Sequence, residues 1–465
     1  MIGTQVRWPA PLVGVLAVFG TVVAAGVTVA AAGDSSRARA ASDGVIKVPS
    51  EVATIQGAVD AAAPGDLVLI EAGVYHEAVD ITTDELTIRG LDRDGVVLDG
   101  DFELDNGIRV LGASGVAVEN LTVQNYATNG IFWTGVDGFR GSYLTAIRNQ
   151  AYGIYAFDSR HGLIEHSYAA GSADGGFYVG QCYPCDTVVD DVISEHNGLG
   201  FSDANAGGNL LVVNSTFRRN RIGVALGSHT YELCYPQREA TVVGNLISSN
   251  NEADTGAMGP ARLAMGNGVV VGGGIGNHIE RNRIWDHDRT GIAVVPNPED
   301  TPTDDMPSRD EWALTCAESR ELPIADPLPA LNFWEPYDNQ VVGNVLADNR
   351  DVDIAVASPN GDLPTFGNCA SANEYAVTAP AALEALAPCD GAAGDGDWAD
   401  GAYDVVAWLT EFDSMPEPVP YTDVELPPLP DLDELPDAAT APAAPAVDMP
   451  PAVDVAAIDV PPPPA

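Results

Sequence analysis

Between residues 106 and 224 the chain repeats one short pattern at a nearly fixed interval. Ile108, Ile131, Ile154, Phe177, Phe201 and Val224 follow one another at steps of 23, 23, 23, 24 and 23 residues, each directly after a glycine. The beat resumes at Val269 and Ile292 and again at Ile354. A period of this length describes a solenoid, in which each unit buries its apolar side only against its neighbours. Inside a unit, apolar residues alternate. Ile131 and Trp133 flank Phe132, Ile154 and Ala156 flank Tyr155, and a second segment carries Val116 and Val118, then Leu121 and Val123. A period of two is strand, with one face in and one face out. Leucine-rich repeats share the longer period but need regular leucines, which are sparse here, and the six-residue beat of a left-handed hexapeptide helix is absent. The sequence therefore predicts an all-β fold, a single-stranded right-handed parallel β-helix with one coil per 23 residues or so.

Asparagine punctuates the coils. Asn125, Asn149, Asn197, Asn220, Asn250 and Asn349 precede successive coil starts, and Asn120, Asn214, Asn245, Asn282 and Asn344 form a second set upstream. Asn tolerates left-handed backbone and bonds its own turn, so stacked coils would arrange these amides as ladders.

The regions outside the beat follow in order. Residues 1–40 carry Arg7, an apolar run from Pro11 to Ala32 and an Ala38-Arg39-Ala40 site, the pattern of a secretory signal peptide. Left uncleaved, the run is long enough for an N-terminal anchor, the one route to a membrane that the sequence offers. A short helix opens at Thr54-Ile55-Gln56 and ends at Pro64-Gly65; it is expected to cap the exposed N-terminal coil. The β-helix domain spans residues 45–410, with insertions at 229–266 and 296–338, and Pro380 to Ala387 is expected to cap its far end. Residues 411–465 are Pro, Ala, Asp and Glu with no basic residue, a composition that predicts a disordered, solvated tail.

Two stretches carry resemblances. Thr54-Ile55-Gln56, Pro64-Gly65-Asp66, Glu71-Ala72-Gly73-Val74-Tyr75 and Leu86-Thr87-Ile88-Arg89-Gly90 resemble the opening of the pectin-lyase-like β-helix superfamily. That resemblance implies the fold and leaves activity open, since lyases, hydrolases, esterases, epimerases and non-enzymes share it. Tyr152-Gly153-Ile154-Tyr155-Ala156-Phe157-Asp158-Ser159-Arg160-His161, followed by Asp174-Gly175-Gly176-Phe177, is loosely similar to the alginate C5-epimerases. Ala156 stands where their motif has Gly, and Ser159-Arg160 replaces a proline, which displaces His161 by one position. The resemblance implies Tyr155 and His161 as an acid/base pair supported by Asp158 and Asp174.

Charge narrows the partners. The formal net charge is −46 with a single lysine, Lys47. Nucleic acid is excluded as a partner. A polyuronate would be repelled over most of this surface, so it would need bridging Ca²⁺ or a local cluster such as Arg218, Arg219 and Arg221. Otherwise the sequence requires no cofactor and contains no trusted metal motif. Six cysteines in an exported chain point to disulfides, with Cys369–Cys389 the preferred pair and Cys182, Cys185, Cys234 and Cys316 anchoring the insertions.

A β-helix offers sites on its outer faces. One residue beyond each coil start, Phe132, Tyr155 and Tyr178 should point outward on strands about 4.8 Å apart, forming an apolar stripe. Asp158, Gln181, Asn205 and His229 fall beside it, and Asp203 offers a further carboxylate. Aromatic faces next to carboxylates and amides suit a sugar chain. The expected catalytic residues are Tyr155, Asp158, His161 and Asp174; the expected substrate-binding residues are Phe132, Tyr178, Gln181, Asp203, Asn205 and His229. The sequence thus predicts a secreted or cell-surface monomer acting on an extracellular polysaccharide as lyase, epimerase or hydrolase. A non-catalytic binding or structural solenoid is the competing class.

Overall fold

The computed structural model describes residues 44–360, 362–392, 394–410 and 415–463; the signal segment lies outside them. The chain winds as a right-handed parallel β-helix. Its front ladder pairs Ile108 with Ile131, Ile154, Phe177, Phe201, Val224, Val269, Ile292 and Ile354 in unbroken succession. All nine side chains are fully buried. Each contributes about 1.5–3 kcal/mol of transfer free energy, which a slip of one residue would forfeit by turning the column outward.

Each coil then bends into a second strand and, in most coils, a third. Phe139, Ile164 and Val189 continue the core along the second face, and Leu144, Ala169 and Phe217 along the third. The bend between these faces uses left-handed backbone at Asn120, Tyr143, His166, Asp191 and Asn214.

Three buried ladders of polar side chains run along the coil. Asn197, Asn220, Asn250, His287 and Asn349 are linked at 3.2, 3.0, 3.1 and 2.8 Å. Burial pushes the His287 imidazole down to about 4, so it serves neutral within the ladder. Asn245, Asn282, Asn344 and Asn373 form the second. Gln237, Asn277, Asn339 and Asn368 form the third. Three expected members differ. Asn120, Asn125 and Asn214 occupy left-handed bends, and Tyr126 takes the position below Asn149 and Ser215 that below Asn245, each donating its N–H to the asparagine amide oxygen.

Both ends are covered. The helix Ile55–Ala61 has Thr54 as its N-cap, while the Glu77 carboxylate accepts from the N–H groups of Ile55 and Gln56. At the far end Leu383–Leu386 buries Leu383, and Cys369 and Cys389 form a disulfide with Cα atoms 4.9 Å apart.

Two expectations need correction. The first insertion is interrupted, because Arg238–Val243 and Leu246–Ser248 are true coil strands. Buried Ala240, Val242 and Ile247 stack on Leu210, Val212 and Phe217 of the previous coil, so the excursions are 228–237 and 249–266. The acidic tail is also not a free extension. Residues 415–463 lie against the solenoid, with Ala446 fully buried. Composition says that such a segment cannot build its own core, and it borrows one here from the outer surface of the coil.

Asn282→Ala should cost roughly 2–4 kcal/mol, because it orphans buried donors and acceptors on both neighbouring coils, whereas Asn214→Gly, which suits the left-handed backbone and loses only an exposed bond to Asp190, should stay within about 0.5 kcal/mol. Urea denaturation of the two variants checks the difference.

Candidate functional site

The outward column of the front ladder begins with Asp80 and Arg109, paired at 2.7 Å, and continues through Phe132, Tyr155 and Tyr178. Ring centroids of Phe132 and Tyr155 lie 4.7 Å apart, and those of Tyr155 and Tyr178 4.6 Å. Tyr152 stacks on this group at 4.7 Å from both tyrosines. Beyond Tyr178 the column becomes small, with Ser202, Ala225, Val270 and Ala293. There the helices Pro260–Leu263 and Val405–Thr410 pack over it through Ala261, Val405 and Trp408. The aromatic stretch is therefore the open part of the face. Phe132, Tyr152, Tyr155 and Phe157 are half-buried, and Tyr178 is fully buried.

The excursion 228–237 folds over Tyr178. Gln181 accepts the Leu233 N–H at 2.8 Å, and the Asn205 amide donates to the carbonyls of His229 and Glu232, each at 2.8 Å. These contacts place the Glu232 carboxyl on the Tyr178 hydroxyl at 2.5 Å. Asp174, half-buried at the start of the next coil, lies beside the Tyr152 side chain. The Cys234–Cys316 disulfide ties this excursion to the second insertion, which is further held by Thr230 donating to Glu299. Cys182 and Cys185 pair with each other, so they brace a single bend.

Burial sets the chemistry of these groups. It pushes the Glu232 carboxyl up to about 8, with Asp174 adding to the shift and the Tyr178 hydrogen bond opposing it. It pushes Asp174 up to about 6 against the Tyr152 hydrogen bond. Tyr152, Tyr155 and Tyr178 are all raised well above the phenol range by burial, then by the carboxylates around them. Near neutrality this arrangement presents a protonated Glu232, an ionised Asp174 and three neutral hydroxyl groups.

The structure thus brings together Phe132, Tyr155, Tyr178 and Asp174. It places the other expected residues elsewhere. Asp158 sits on the bend after Phe157 and pairs with Arg320 of the second insertion. His161 follows on the second ladder, where its imidazole meets Asp137 at 2.5 Å and Asp186 at 3.6 Å on the neighbouring coils. Asp203 points inward, because it lies two residues after the core position Phe201. It accepts from Gln237 at 2.9 Å at the head of the third ladder. Gln181 and Asn205 hold the excursion in place. His229 is buried beneath Tyr231 with ring centroids 3.3 Å apart, and burial takes its imidazole down to about 3. The arginine cluster is also engaged: Arg218 pairs with Glu195 at 2.7 Å, and Arg221 donates to the carbonyls of Ala253 and Pro416. Among the described residues no group of three or more His, Cys, Asp or Glu side chains is arranged to hold a metal ion.

Glu232 and Tyr152 were missed in the sequence. Glu232 belongs to a loop with no repeat to align it. Tyr152 did carry a signal, since it replaces the asparagine of a column whose earlier members are Asn106 and Asn129, bonded at 3.0 Å.

A family model described as right handed beta helix region matches residues 106–301. Several solved structures are similar. The A-module of mannuronan C-5 epimerase AlgE6 from Azotobacter vinelandii is 15% identical, with 70% of this chain and 94% of that one covered and a TM-score of 0.46. ORF18 of Geobacillus virus E2 is 10% identical over 70% of this chain, with a TM-score of 0.44; the match spans 56% of the viral chain's own length. The Dettilon tailspike protein is 14% identical, with 71% and 67% covered and a TM-score of 0.43. No curated protein matches the sequence.

The raised carboxyls carry a pH dependence of stability. A folded-state value of about 8 for Glu232, against 4.5 unfolded, means that the native state binds more protons between these pH values. Stability should then fall as pH rises through that window, by up to about 1.4 kcal/mol per pH unit for this one group. Guanidinium denaturation at pH 5 and pH 8 should show that fall in the native chain and a shallower one in Glu232→Gln.

Proposed function

We propose that the protein is an extracytoplasmic polysaccharide-active β-helix, and that it hydrolyses a glycosidic bond at the aromatic stretch of its front face. The observation that carries this reading is the pair of carboxyl groups at the edge of the ring column, Glu232 on the Tyr178 hydroxyl at 2.5 Å and Asp174 beside Tyr152, both raised above the usual carboxylate range by burial. Glycoside hydrolysis needs one carboxylic acid to protonate the leaving oxygen and one carboxylate to activate water or attack the sugar. Glu232 suits the first role and Asp174 the second. Phe132 and Tyr155 supply faces on which sugar rings stack, and the phenol hydroxyls of Tyr152 and Tyr155 supply hydrogen bonds. Three disulfides support an oxidising compartment.

The lyase or epimerase alternative rests on the likeness of residues 152–177 to the alginate C5-epimerases. It requires a cation opposite the sugar carboxylate to stabilise the carbanion formed at C5. The charged groups acting most strongly on Tyr152, Tyr155, Tyr178 and Glu232 are acidic, and Arg320 is already paired with Asp158. The hydrolase reading therefore fits the local charge better, with a neutral sugar as the reacting unit.

A panel of neutral and uronate polysaccharides, followed by reducing-end release and by absorbance of unsaturated uronates, separates the two. Reducing ends without the unsaturated product are expected. Glu232→Gln and Asp174→Asn should each lower kcat by at least 100-fold, the scale of acid–base catalysis, while His161→Asn should retain activity. Activity that survives both carboxyl substitutions would place the reaction elsewhere.

A further inference from the structure

The second face of the coil carries an outward column that is apolar where solvent-facing positions are usually polar. Leu163, Val188 and Leu211 follow one another in register, with Val213 and Val243 beside them. All five are buried, and what buries them is the C-terminal segment, through Met449, Val453, Val455 and Ile458. Between Ala446 and Ile458 this segment crosses from the coil of Gly115 to that of Arg281 at about two residues per coil. An extended proline-rich chain rises ~3.1 Å per residue and coils are spaced ~4.8 Å, so this pace fits a diagonal crossing.

Polar contacts fix the backbone of the segment. Arg89 donates to the carbonyls of Ala441 and Pro442 at 2.7 and 3.0 Å. Arg281 donates to Val455 and Ile458 at 2.9 and 2.8 Å, and Arg283 to Pro461 at 2.7 Å. In the other direction, the Ala444 N–H donates to the Thr87 hydroxyl at 2.9 Å, and the Ala446 N–H to the Gly115 carbonyl at 2.9 Å. The segment is extended apart from one 3-10 turn at Val455–Ala457, and extended proline-rich backbone, which forms no internal hydrogen bonds, leaves its carbonyls available to guanidinium forks. Two glycines make room. A Cβ on Gly138 would stand 2.4 Å from the Ala446 carbonyl oxygen, and one on Gly244 would stand 2.3 Å from the Ile458 side chain. Both also have left-handed φ, at +83° and +70°.

We infer that the second face is a binding groove for extended proline-rich polypeptide, and that residues 441–461 of the same chain are its resident ligand. The recognition is directed at backbone carbonyls and at apolar side chains spaced along an extended strand. The carboxylates of the tail keep the free segment soluble and extended. A tethered ligand acts at an effective concentration in the millimolar range, so the groove is closed to dilute competitors while its own tail fits.

The test uses the full chain and a fluorescent peptide of residues 439–463. Full-length Met449→Asp/Ile458→Asp loosens the resident segment without touching the groove. The peptide should bind this variant saturably and at least tenfold more tightly than it binds the native chain. Adding Arg281→Ala and Arg283→Ala to the loosened variant should weaken binding by at least tenfold. A peptide that itself carries the two Asp substitutions should fail to bind the loosened chain. Absence of peptide binding to the loosened chain, or equal binding to native and loosened chains, would overturn the inference. So would binding that is indifferent to the arginines.

Discussion

Everything in this molecule depends on coils stacking in register. Parallel strands about 4.8 Å apart place equivalent residues of successive coils directly over one another. Apolar side chains thereby become columns, amides become ladders and outward aromatics become a stripe. The register is overdetermined. A slip at the front ladder would turn Ile131 and Ile154 to solvent and also break the Asn220–Asn250 and Asn245–Asn282 bonds. Each coil holds only its neighbours, so coupling between distant coils has to come from elements that cross them. The C-terminal segment is one such element, and the Cys234–Cys316 disulfide between two excursions is another.

The same burial that builds the core also prepares the chemistry. Carboxyl groups in this chain are raised where desolvation outweighs hydrogen bonding, as in Asp174, Asp203 and Glu232. Direction within the strand separates their uses. Asp203 faces inward and is fastened to Gln237 at the head of a ladder. Asp174 and Glu232 belong to the outer surface, beside tyrosines whose rings form one wall of the open stretch. An excursion from the repeat supplies Glu232, and the solenoid supplies the floor against which it is pressed. The candidate site is thus divided between a periodic part, which stacks rings, and an aperiodic part, which brings the Glu232 carboxyl onto them.

That division explains what could be read from the sequence. The columns through Ile108 and Ile131, the stripe of Phe132, Tyr155 and Tyr178, and the Cys369–Cys389 pair were all legible, because periodicity or position at the end of the solenoid constrains them. Asp203 offers a carboxylate in the sequence, but parity with Phe201 points it inward. The likeness to the epimerase motif groups His161 and Asp158 with Tyr155, yet the bend at Asp158 carries both away from the ring column. Glu232 and the docking of the tail were not legible, since each depends on a non-repeating segment meeting a distant coil. The tail composition reports only that the segment lacks a core of its own.

The central claim, that the ring column and its two carboxyls form the polysaccharide site, is tested most directly by a crystal structure of Glu232→Gln soaked with an oligosaccharide of the cleaved polymer. The account predicts sugar rings stacked on Phe132 and Tyr155, with the glycosidic oxygen within hydrogen-bonding distance of residue 232 and Asp174 next to the anomeric carbon. Sugar bound on another face, or on this face without contact to either position, would contradict it.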